Sequence, residues 1–137
     1  MTILTEVLKQ FVELQIKLMA VFKDGHQNLA DWKFLIDFPK SGELEVNGEL
    51  WSFNKHGSGL LFRNNSTGVV VDIHKNISKP RQFDSWRIEQ FIDSSQFEID
   101  DKTLDTELVS LVNKGVIRED DEQKGVFELV INGVRVV

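Results

Sequence analysis

The 137-residue sequence predicts an α+β fold: an antiparallel meander sheet packed by an N-terminal amphipathic helix, followed by a C-terminal helix-plus-hairpin unit. Three observations carry that prediction. Apolar residues recur at helical spacing from Leu4 to Phe22, two hairpin signatures follow each other between Glu43 and Ile73, and a helical period near residues 103–113 leads into short β-branched runs. The 41% hydrophobic and 28% charged content is that of a folded domain rather than a disordered chain. This length buries roughly two-thirds of the unfolded surface, so residues 1–137 are read as a single domain with one core.

In the first helix, Leu4, Val7, Leu8, Phe11, Leu14, Leu18, Val21 and Phe22 form an apolar stripe, with Glu6, Lys9, Glu13 and Lys17 opposite. Thr2 or Thr5 caps its start, and Asp24-Gly25 stops it because glycine accepts the left-handed conformation beyond a last turn; the expected span is 3–23. The interrupting charges argue against a signal-peptide core or a membrane span, which makes a cytoplasmic location the expectation. A shorter helix from Asn28 through Ile36 must end before Pro39, with Trp32 and Phe38 closing an edge of the core or facing a partner.

Asn47-Gly48 separates two alternating runs, Glu43–Val46 and Glu49–Phe53, and favours a two-residue type I′ turn because both positions must accept positive φ. That register sets Val46 opposite Glu49 and Leu44 opposite Trp51. Leu44, Val46, Trp51 and Phe53 then share an apolar face while Glu43 and Glu45 point to water. The glycines of His56-Gly57-Ser58-Gly59 lead into a second hairpin, in which Leu60–Arg63 and Val69–Ile73 flank the polar loop Asn64–Gly68. Phe83–Ile92 resumes a helical period, with Asp84 or Ser85 at its start and Trp86, Ile88, Phe91 and Ile92 on the apolar side. A last helix, Thr103–Asn113, carries Leu104, Leu108, Leu111 and Val112 and stops at Gly115. Three short strands follow: Val116–Arg118, Val126–Ile131 and, beyond an Asn132-Gly133 turn, Val134–Val137.

Without cysteine, the chain has no disulfide, no thiolate metal site and no cysteine nucleophile. His56, Asp72 and His74 form the candidate catalytic or metal-binding group, since residues two apart on a strand project from one face. This defines one reading, a small hydrolase or metal-dependent enzyme; the other is that these side chains satisfy loop backbone groups. His56-Gly57-Ser58-Gly59 lacks the lysine and spacing of a phosphate loop, so the sequence implies no cofactor.

The net charge of −6 is unevenly spread, at 0 over residues 1–40, +1 over 41–81 and −7 over 82–137. The helix-plus-hairpin unit has the outline of a winged-helix wing, but its loop Glu119-Asp120-Asp121-Glu122 would repel phosphates, which argues against nucleic acid as a partner. An acidic face either solvates the surface or steers a basic protein toward it. For the second use the contact set is Asp101, Asp105, Glu107, Asp120, Asp121 and Glu122.

The stretch HGSGLLFRNNSTGVVVDIH, followed by FDSWRIEQF, resembles small bacterial immunity proteins of polymorphic toxin and contact-dependent growth-inhibition systems, over about residues 50–95. The resemblance rests on the glycine turn, the strand ending near Asp72 and the aspartate-tryptophan helix entrance. It implies a cytoplasmic, non-enzymatic protein that binds a cognate toxin domain and blocks it.

Overall fold

The computed structural model describes residues 3–22, 39–56, 59–74, 81–95 and 97–130. Helix α1, Ile3–Phe22, buries a wider arc than the predicted stripe: Val12, Ile16 and Met19 join Leu4, Val7, Leu8, Phe11 and Leu18 in the core. The arc is wide because α1 is covered from several sides. It lies across the meander sheet and also meets the second helix and the last strand.

The meander has four antiparallel strands in sequence order, β1 Ser41–Val46, β2 Glu49–His56, β3 Gly59–Asn64 and β4 Val70–His74. Its first turn is the expected one, with Asn47 at φ 52° and Gly48 at φ 83° and the pairs Val46–Glu49 and Leu44–Trp51 in register. Gly42 is also demanded by packing, since a Cβ there would sit 2.9 Å from Cζ of Phe53 on the paired strand. Trp51, Phe53, Leu60, Phe62, Val71 and Ile73 face α1, with the Phe53 and Phe62 rings 6.1 Å apart across the β2–β3 pair. The 64–68 loop is folded by Asn64, whose Oδ1 accepts from Ser66 N and Thr67 N while Nδ2 donates to Glu49 Oε2.

Phe83, counted as the first residue of the helical period, lies instead in a three-residue strand, β5 Gln82–Asp84, just before the expected helix start at Asp84 or Ser85. Burial explains the difference. Phe83 is fully buried and stacks on Phe127 at 5.9 Å, while Arg81 and Leu129 bond to each other through backbone and guanidinium. Helix α2 then runs Ser85–Ser94, capped by Asp84, which accepts from Arg87 N and pairs with its guanidinium. Ile88, Phe91 and Ile92 are buried as expected, and Phe91 meets Phe11 of α1 edge-on at 5.4 Å. Trp86 departs from the prediction: it is 55% exposed, because the helix turns it to the side opposite the core.

Helix α3, Asp101–Asn113, starts two residues before the expected Thr103, because Asp100 is the cap and accepts from Thr103 N at 2.7 Å. β6 Ile117–Glu119 and β7 Val126–Leu129 form the hairpin, and with β5 they make a second sheet of order β5-β7-β6. Gln15 of α1, itself buried, donates to Gln82 O at 2.7 Å and ties the first helix to this sheet. The expected helix from Asn28, the Gly57-Ser58 link, the Asn132-Gly133 turn and the Val134–Val137 strand lie outside the described residues.

Candidate functional site

Helix α3 places its carboxylates by its own geometry. Asp100 caps the helix, and the backbone N–H of Thr103 that it accepts holds its carboxyl below the ordinary range. Asp101, exposed in the first turn, sits at the partially positive helix end that favours an anion. Asp105 follows one turn later on the same side, also exposed. Glu107 is two residues further, about 200° around the axis. It is half-buried, its Oε2 has no hydrogen-bond partner among the described residues, and it does not join Asp101 and Asp105.

Helix α2 adds acids to the same neighbourhood. Trp86, Glu89 and Asp93 share its outer stripe at spacings of three and four. The Glu89 carboxyl is pushed up first by partial desolvation and then by the charges of Asp101, Asp105 and Asp93. Carboxylates of α2 and α3 are therefore close enough to repel one another.

Between α3 and the β6–β7 hairpin runs a groove of about 440 Å³. Leu108, Val109, Val112 and Phe127 line its apolar part, and Asp105 and Glu119 stand at its margin. Val109 is 62% exposed and Val112 37%, so these valines present apolar surface to solvent rather than to the core.

The hairpin loop uses some of its acids to fold itself. Asp120 Oδ2 accepts from Glu122 N and Gln123 N, and Glu119 Oε2 accepts from Gly125 N at 2.9 Å. Asp121 and Glu122 point outward. Arg118 Nη2 lies 2.6 Å from Glu128 Oε2, and the hydrogen bond and charge of Glu128, with weaker contributions from Asp121 and Asp120, raise the guanidinium pKa. The structure thus gathers Asp101 with Asp105, places Asp120, Asp121 and Glu122 on the neighbouring hairpin, and sets Glu107 apart. Glu89, Asp93, Glu119 and Val109 belong to this surface and were not in the predicted set. The spacing of Trp86, Glu89 and Asp93 was a legible signal, whereas the partnership of Val109 with Phe127 depends on tertiary packing.

The histidine group is arranged differently. Cross-strand pairing sets His56, Gly59 and His74 in one row, so the two histidines are two strands, about 10 Å, apart at the backbone. Asp72 is buried in β4 and paired with Leu61, whereas His56 is exposed at the end of β2. Among the described residues, no group of three or more histidines and carboxylates is placed to hold a metal ion.

A second cleft, of about 870 Å³, opens between α1, the β3–β4 turn and the end of α2, lined by Leu14, Thr67, Val69, Phe91, Ser95 and Phe97 among others; among the described residues that line it none is ionisable. Among the described residues no helix is long and apolar enough to cross a membrane.

No curated protein and no solved structure matches the chain significantly. A family does match: the one described as a domain of unknown function, DUF6896, aligns with residues 4–129, from the first buried leucine of α1 to the last residue of β7, and the chain belongs to that family.

Proposed function

We propose that the protein is a non-enzymatic binding protein that neutralises a cognate bacterial toxin domain through the surface built by α2, α3 and the β6–β7 hairpin. The observation that carries this reading is the exposed apolar groove of Val109, Val112 and Phe127 with carboxylates on both of its sides. A solvated acidic face needs no apolar groove. A protein-binding face uses both, the apolar part for affinity and the charges for partner choice and encounter rate. Target domains that themselves grip phosphates, nucleases in particular, carry the basic surface that would complement this one. Neutralisation then consists of covering that surface, with the carboxylates standing where phosphates would bind. The resemblance of residues 50–95 to immunity proteins agrees with this assignment but supplies no contact residue.

The test pairs this chain with the polypeptide encoded beside it in its own genome. Growth of cells producing that polypeptide is measured with and without the chain, and the two proteins are then mixed in purified form. Restored growth together with a one-to-one complex supports neutralisation. Undiminished toxicity, or protection without a complex, rules it out.

A further inference from the structure

We infer that the groove between α3 and the β6–β7 hairpin receives a basic amphipathic helix from a partner protein, a proposal that rests on the reading of the chain as a binding protein. Charge complementarity and the form of the groove identify the occupant. Its apolar part, Leu108, Val109, Val112 and Phe127, calls for apolar side chains. Asp105 and Glu119 in its lining, with Asp101, Glu89 and Asp93 toward the α3 N-terminus, call for lysine or arginine around them. Arg87 and Arg118, in the same unit, are engaged with Asp84 and Glu128; Lys102, Lys114 and Lys124 are exposed, and with them counted residues 82–137 still carry −7, so the field is acidic on balance.

The volume of about 440 Å³ admits a few side chains rather than a broad folded surface. An added strand is the poorer fit, because the exposed edge of the second sheet on this side is β6, only three residues long. A helix with apolar residues at i, i+3, i+4 and i+7 sets them along α3 and leaves its remaining positions for basic residues facing the carboxylates.

The experiment uses two synthetic peptides of identical leucine and lysine composition, one with leucines in that helical stripe and one with the stripe shuffled away. Binding of each to the full chain is read by fluorescence anisotropy at about 0.15 M salt. The striped peptide is expected to bind about tenfold more tightly than the shuffled one. Val109→Ser with Val112→Ser should erase that difference while leaving the shuffled peptide's weak binding in place. The single Val109→Ser change, at the more exposed position, serves if the double variant loses helical circular dichroism. Asp105→Asn with Glu119→Gln should weaken both peptides and flatten the salt dependence. Equal affinity of the two peptides, or striped binding that ignores the valine changes, overturns the proposal and leaves only a diffuse acidic field. Groove binding without protection from a toxin retains the groove and removes the neutralisation reading. Protection that groove variants leave intact does the reverse.

Discussion

Asn64 is nearly fully buried and makes three hydrogen bonds with one side chain, two that shape the loop and one to Glu49 on the neighbouring hairpin. Asn64→Ala leaves two backbone N–H groups and a carboxylate without these partners, so it should lower unfolding stability by about 2 kcal/mol, read from urea titration. Asp100 acts through its charge. Its folded pKa lies below the ordinary value of 3.8, so its contribution is present above that value and is lost as pH falls through the folded one. Asp100→Asn keeps a capping oxygen and should remove that part of the acid-side loss of stability, as measured by unfolding across pH 2 to 6 (about the range spanned by carboxylates). At this scale the sequence was informative about type and vague about partner. Asn64 was legible as a loop residue and Asp84 as a cap, but nothing local indicates that Asn64 reaches back to Glu49, fifteen positions earlier.

The elements that the sequence shows clearly are those with a long period. Helix α1 and both hairpins of the meander repeat their apolar pattern often enough to be read, and Asn47-Gly48 sets a register that the strands keep. Strand β5 has three residues and no period; it exists because Phe83 finds Phe127 more than forty positions later. Trp86 was misassigned for the converse reason, since an aromatic at helical spacing ordinarily faces the core. The end of α2 also protects an edge. Ser94 Oγ accepts from Val70 N at 2.8 Å and donates to Phe91 O, so the helix supplies a partner to the outer strand of the meander. Ser94→Ala should cost about 1 kcal/mol and leave that edge unpaired. The expected readouts are a lower urea midpoint and faster growth of light scattering on warming.

For the whole molecule, the proposed binding role predicts that the acidic surface sets stability against association. The Glu89 carboxyl is raised above its ordinary 4.5, so its charge penalises the folded state at neutral pH, and the penalty fades as pH falls through the folded value. Glu89→Gln should therefore raise the unfolding midpoint at pH 7 (well above the carboxylate range) and have no effect once that carboxyl is protonated in both states. The same change should slow association with a basic partner at low salt. A variant that gains stability and loses association rate is the signature expected of a surface kept charged for a partner; loss of neither or of both would contradict it. The charge division along the chain made the acidic third legible from sequence, but which of its carboxylates share a face with the groove depends on how α2 is set against α3.

The pairing of β5 with β7 also bears on synthesis. Phe83 leaves the ribosome long before Phe127, the ring it stacks on in the paired strand, and Gln15 bonds to the backbone of the same short strand. The growing chain can build its first helix and meander while this part of the core stays open to whatever is nearby. Closure of this part waits for Leu129, whose backbone bonds with Arg81 fasten β7 to the middle of the chain. A pause in translation between α3 and β7 would prolong the interval in which a chaperone has an apolar surface to hold.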